Sequence, residues 1–208
     1  MITVIAAALV VGCVAGLASR RLIEIETDAP IRLWVPVLAT GLLSAAVAWR
    51  LDWSWSLPAY LYFAAISVPL AVIDLRTHRL PNQLTLTAYP ALAVLLLLPA
   101  LVDGQWTDLG RAGLGAAALL VFFALLHVIN PAGMGLGDVK LAGPMGGILG
   151  WGSWTAVFAG TLVGFLLGAV VGLALMALKR ANRKTALPFG PFMLVGAWAA
   201  ILMVPWPI

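Results

Sequence analysis

Apolar positions fill this chain in long unbroken runs, and polar positions are confined to the short stretches between them. The runs cover roughly residues 2–19, 33–49, 56–73, 83–102, 112–130, 141–157, 159–178 and 188–206. About 20 apolar residues cross the hydrocarbon core of a bilayer as a helix. Lipid offers backbone N–H and C=O groups no partner, so helices are the form such runs must take. The sixth and seventh runs share one stretch, 141–178, which divides into two short helices at a turn near 150–154. The pattern predicts an all-α membrane protein, a polytopic bundle of about eight transmembrane helices in a single domain over residues 1–208.

Composition and charge sharpen that picture. Of the 208 residues, 63% are hydrophobic and 10% charged, against about a quarter charged in a typical soluble domain. The single cysteine, Cys13, lies inside an apolar run, which excludes a disulfide framework or a cysteine-rich metal site. Its expected role is packing. The net charge of +4 does not point to nucleic acid, because the basic residues sit between apolar runs, where they set orientation. No Lys or Arg precedes the first run, and Arg20 and Arg21 follow it, the reverse of a secretory signal. The run is therefore expected to be a retained span with the N-terminus outside.

Ten of the 12 basic residues then fall on the cytoplasmic side: Arg20, Arg21, Arg32, Arg76, Arg79, Lys140, Lys179, Arg180, Arg183 and Lys184. Arg50 and Arg111 fall outside, so the bias is positive-inside. Trp49, Trp53, Trp55, Trp106, Trp151, Trp154 and Trp206 lie at the outer ends, where an interfacial aromatic belt is expected. Trp34 lies at an inner end and Trp198 within a span.

Acidic residues are few enough to weigh one by one. Asp52, Asp103 and Asp108 fall in outer loops, and Glu24, Glu26 and Asp28 in the first inner loop, about residues 20–32. All six are expected to be solvated loop charges. Asp74 and Asp138 differ, since each abuts an apolar run and both belong to the cytoplasmic side. Acids at the edge of the hydrocarbon are costly to desolvate and face a protein interior or polar cavity. Around Asp138, Gly133, Gly135 and Gly137 alternate, which loosens helical structure and lets another backbone approach.

Three segments combine these features. They are Asp74-Leu75-Arg76-Thr77-His78-Arg79-Leu80-Pro81-Asn82, Gly135-Leu136-Gly137-Asp138-Val139-Lys140-Leu141, and Leu187-Pro188-Phe189-Gly190-Pro191-Phe192. In order, spacing and topology they resemble the type IV prepilin peptidase family of membrane aspartic proteases, from about residue 56 to the C-terminus. The resemblance implies that Asp74 and Asp138 are the catalytic pair and that Gly135, Gly137 and Lys140 belong to the active-site loop. It implies that Pro188, Phe189, Gly190 and Pro191 help position the substrate, and that no cofactor or metal takes part. The substrate class it implies is a pilin or pseudopilin precursor with a basic leader and a following apolar helix, cut at the cytoplasmic face of a prokaryotic inner membrane. Longer members carry paired cysteines after the first span and also methylate the new N-terminus. Residues 20–32 hold no cysteine, so a short, peptidase-only form is expected.

Chemistry consistent with that resemblance is hydrolysis by one ionised and one protonated carboxylate sharing a water, titrating as a unit. Arg76, Arg79 and Lys140 are expected nearby. The acidic group Glu24 to Asp28 is weighed as an attractor for a basic leader against simple solvation. His78 and His127 are weighed as metal ligands, with a loop residue and a helix-end hydrogen-bonder the simpler roles. Lys140 is expected to snorkel. Two rival classes differ in recognisable ways. A presenilin-like protease would carry a Pro-Ala-Leu type third motif, and a proton-coupled transporter would carry inverted repeats with helices interrupted near the midplane.

Overall fold

A computed structural model describes residues 1–131, 133–179 and 187–205. Arg180, Arg183, Lys184 and Trp206, which the topology reading used, lie outside these described residues. The described elements are α1 (Ile2–Thr27), α2 (Trp34–Leu51), α3 (Leu57–Thr77), α4 (Asn82–Val102), α5 (Trp106–Ile129), α6 (Leu136–Gly152), α7 (Trp154–Ala177) and α8 (Gly190–Met203). Six of them, α1 to α5 and α7, are long and apolar enough to cross a membrane. At 17 and 14 residues, α6 and α8 fall short of that length. The fold is an all-α bundle of eight helices, and the chain is a multi-pass membrane protein.

Each apolar run locates one helix, but several helices continue into polar sequence. The expected inner loop at 20–32 is largely helix: α1 runs on to Thr27, where Asp28 ends it with φ 48°. Glu24 is therefore not a loop charge; it pairs with Arg20 at 2.9 Å and accepts the Ile31 N–H at 3.3 Å. Asp108 and Arg111 stand on the first turns of α5 rather than in a loop, 2.7 Å apart. The expected turn inside 141–178 falls at Ser153, whose extended backbone breaks the path and whose Oγ accepts the Ala156 N–H of α7.

Side-chain bridges show how the ends group. Arg76 of α3 reaches the Ala29 and Pro30 carbonyls, and Lys140 of α6 reaches Asn82 of α4. At the opposite end Arg50 of α2 donates to the Val204 carbonyl after α8, and Arg111 of α5 to the last carbonyls of α6.

Three helix pairs approach closely over small residues. Gly12 and Gly16 of α1 face α2, Gly115 of α5 faces Gly146 and Gly150 of α6, and Gly160 and Gly164 of α7 face Gly196 of α8. Between lipid-solvated helices the hydrophobic effect supplies no drive, and such backbone contact replaces it. The large outward side chains, among them Val14, Leu101, Val121 and Val170, are apolar and face where lipid lies.

The core lies around α3 and α6, with Tyr60, Phe63 and Leu70 meeting Leu141, Met145 and Ile148 at full burial. Every residue from Leu141 to Gly152 is buried. Trp151 is thus only 5% exposed and packs in the core, not in the aromatic belt expected for it. Trp49, Trp53, Trp55, Trp106 and Trp154 are exposed at that end. Trp198 is buried and donates to Ser67 of α3. Pro144 inside α6 has no N–H for the carbonyl of Lys140 four residues back, and the Tyr89 hydroxyl of α4 donates to that carbonyl instead, at 2.9 Å.

Candidate active site

Asp74 occupies the last turn of α3, inside the helix rather than after it. That turn closes on His78, which takes φ 54° and donates its backbone N–H to the Asp74 carbonyl. Leu80 and Pro81 then carry the chain directly into α4. Asp138 stands at the third position of α6, and of the alternating glycines expected to loosen helical structure, Gly133 and Gly135 lie in the non-helical stretch before it. Gly135 is the extended residue before the helix, and Gly137 lies within its first turn. The tight role of Gly137 is contact: a Cβ there would sit 2.9 Å from the Leu80 Cβ, so a side chain would push α6 off the α3–α4 connection.

Both carboxylates are buried, Asp74 at 4% and Asp138 at 7% exposure. Each is held by a backbone N–H at the start of a helix. The Gly190 N–H, first in α8, donates to Asp74 Oδ2 at 3.1 Å. The Gly135 N–H donates to Asp138 Oδ2 at 3.3 Å, the reach-back half of a capping box. Helix N-termini favour negative charge, whereas burial and a like-charged neighbour oppose it. Both acids line one open pocket of about 300 Å³, together with His78, Arg79, Leu80, Asn82, Gly135 to Gly137 and Lys140. Two carboxylates around a space large enough for water and a peptide bond can divide acid and base work between them.

The other expected site residues divide. Gly190 touches Asp74, while Phe189 turns into an aromatic stack with Phe123, Phe165 and Phe192. Pro191 is buried in the first turn of α8, and Pro188 is half-buried in the connection before it. Lys140 does not simply snorkel; its Nζ donates to Asn82 Oδ1 at 2.7 Å. Arg76 leaves the site and binds the α1–α2 connection. His127 Nδ1 donates to the Met134 carbonyl at 2.7 Å, which ties the end of α5 to the glycine loop. Among the described residues no group of three or more His, Cys, Asp or Glu is arranged to hold a metal ion. Cys13 packs against Gly41 of α2.

Asn82 and Tyr89 had no assigned role, although both bind Lys140. The signal for Asn82 was its place in the first segment. Tyr89 could have been found as the one hydroxyl-bearing ring within the fourth run.

The type IV leader peptidase family matches residues 61–178, which hold both aspartates and end before Gly190. The prepilin leader peptidase/N-methyltransferase of Aeromonas hydrophila is 38% identical over 182 residues, 84% of this chain and 60% of that protein. The proteins of the same name from Pseudomonas aeruginosa and Bacillus subtilis are each 32% identical, over 79% of this chain and 56% and 63% of their own lengths. The chain thus spans somewhat over half the length of these relatives. No solved structure matches it.

Proposed function

The chain belongs to the type IV leader peptidase family, and we propose that it is a membrane aspartic endopeptidase removing the basic leader from type IV pilin or pseudopilin precursors. The observation that carries this reading is the pair of buried carboxylates lining one open pocket, each anchored by a backbone N–H. Asp74 and Asp138 are the catalytic pair. One, ionised, takes a proton from a water between them as the water oxygen attacks the scissile carbonyl carbon. The other, protonated, hydrogen-bonds the carbonyl oxygen as negative charge develops there. Collapse of the tetrahedral intermediate breaks the C–N bond as that second aspartate donates its proton to the departing nitrogen, and the leader leaves with a new carboxyl group.

Gly137 keeps the first turn of α6 close to the α3–α4 connection, Gly135 holds Asp138 through its backbone N–H, and Lys140 tethers that turn to α4. Gly190 holds Asp74, with Pro191 fixing the start of α8, while Pro188 and Phe189 shape the approach to it. The aspartate end faces the cytoplasm and the N-terminus lies outside, with α6 and α8 completing eight spans in one domain. The basic residues support that orientation. Arg20, Arg21, Arg32, Arg76, Arg79, Lys140 and Lys179 lie toward the aspartate end, against Arg50 and Arg111 opposite.

The test is co-expression with a pilin-like precursor and mass spectrometry of the product N-terminus. Wild type removes the leader; Asp74→Asn and Asp138→Asn, inserted in the membrane at equal levels, slow cleavage at least about a thousand-fold. Normal cleavage by either variant removes that residue from the chemistry. The same spectra report whether the new N-terminus carries a methyl group; the proposal predicts an unmodified amine.

A further inference from the structure

Further along α6 from the aspartate pocket lies a second, apolar space. A groove of about 330 Å³ runs between α4 and α5 with α6 as its floor, and Leu92 and Leu96, Ala112 and Ala116, and Gly143 and Gly147 line it from the three helices. Tyr89 links the linings of the two. Its ring lines the groove, and its hydroxyl binds the carbonyl of Lys140, whose side chain lines the aspartate pocket.

We propose that this groove seats the apolar helix of the substrate, adjoining the bond that is cut. The proposal rests on the leader-peptidase reading and adds the route by which substrate is held. Helices in lipid associate by close packing over small residues, and the exposed positions of the groove wall are small, Ala93 on α4 and Gly113 on α5, with Gly143 and Gly147 buried in its floor. Gly143 and Gly147 lie five and nine residues beyond Asp138 along α6, about 7.5 and 13.5 Å at helical rise. A substrate helix beginning just after the scissile bond and running parallel to α6 brings its fifth to ninth residues level with these glycines, against the exposed Ala93 and Gly113 of the groove wall. The polar peptide at its start then reaches the carboxylates without leaving the interface.

Bulky apolar residues that fill the groove test this. Gly113 has open space where a Cβ would stand, and Ala93 is exposed on the groove wall, so Ala93→Phe and Gly113→Phe add bulk at positions whose side chains start in the open. Val94→Phe, exposed on α4 outside the groove, is the control. Each protein is assayed on the full precursor and on one truncated four residues past the cut. The kcat/KM ratio of long to short substrate is expected to fall about ten-fold in the groove variants, equivalent to about 1.4 kcal/mol, and to hold in the control. A uniform loss that leaves the ratio unchanged overturns the proposal. A photo-crosslinker at position 93, in an Asp74→Asn background, is expected to capture precursor residues five to nine after the cut. Capture of lipid or a second copy alone overturns it. Wild type that cuts neither substrate removes the leader-peptidase reading itself, and the docking proposal with it.

Discussion

The two ends of α6 present opposite solutions to the same problem of buried polarity. At its C-terminal end, Arg111 donates to the carbonyls of Gly150, Trp151 and Gly152 and pairs with Asp108 at 2.7 Å. A cation meets the negative end of the helix dipole, and its own charge is neutralised. At the N-terminal end, Asp138 shares a pocket with a second carboxylate, and each is held by one backbone N–H, at 3.3 Å and 3.1 Å. Lys140, the nearest cation on the same helix, is engaged by Asn82. One end is saturated, and the other is left with unmet bonding capacity in a space open to solvent. Polar groups whose demands are met hold a fold together; those left short are where chemistry is expected.

The largest way to break this contrast is to unsaturate the satisfied end. Arg111→Ala leaves Asp108 and three carbonyls without their donor. It should destabilise the protein by about 3 kcal/mol, read as earlier thermal unfolding in detergent. Leader cleavage per folded molecule should stay near wild type. Lost cleavage in protein that is still folded would show that the two ends are coupled, and that the saturated end is more than a support.

This division was only partly legible in the sequence. Apolar run length located all eight helices, because burial in lipid is a composition signal. It could not locate their ends. Asp28, His78 and Lys179 all take positive φ at or just beyond helix termini, with no glycine to announce the stop. The pair Asp74 and Asp138 was visible because charge at the edge of an apolar run is rare. The Asp108–Arg111 pair was misread as loop charge because hydropathy sees lipid and not hydrogen bonds. Nor could run length tell that α6 sits inside the bundle and takes Trp151 with it. The spacing of Gly146 and Gly150, and of Gly160 and Gly164, did carry the close helix contacts, as small residues four apart.

Within the unsaturated end, Gly190 separates positioning from chemistry. A methyl group there would lie 2.8 Å from Asp74 Oδ2 and 3.4 Å from the Leu80 Cδ1, so the carboxylate must move. Gly190→Ala should lower kcat about ten- to a hundred-fold, the scale of a misplacement near one ångström, while leaving thermal unfolding close to wild type. An unchanged kcat would mean that the Gly190 contact is packing alone, and that Asp74 is held by the rest of α3.

The smallest effect is expected at Lys140, and it decides how far the contrast between the two ends extends. Its Nζ donates to Asn82 Oδ1 at 2.7 Å across an exposed part of the pocket rim. Tethers of this kind contribute well under 1 kcal/mol. Lys140→Met keeps the length of the side chain and removes the charge and the donor. As a tether between the first turns of α4 and α6, Lys140 should cost about three-fold in kcat/KM when replaced, and Asn82→Ala should cost the same. The double variant should then be no worse than either single one, because the two residues make one interaction. A hundred-fold loss for Lys140→Met beside a neutral Asn82→Ala would show instead that the ammonium meets the substrate. The unsaturated end would then be two carboxylates and a cation, and the acid and base roles would have to be assigned with that charge included.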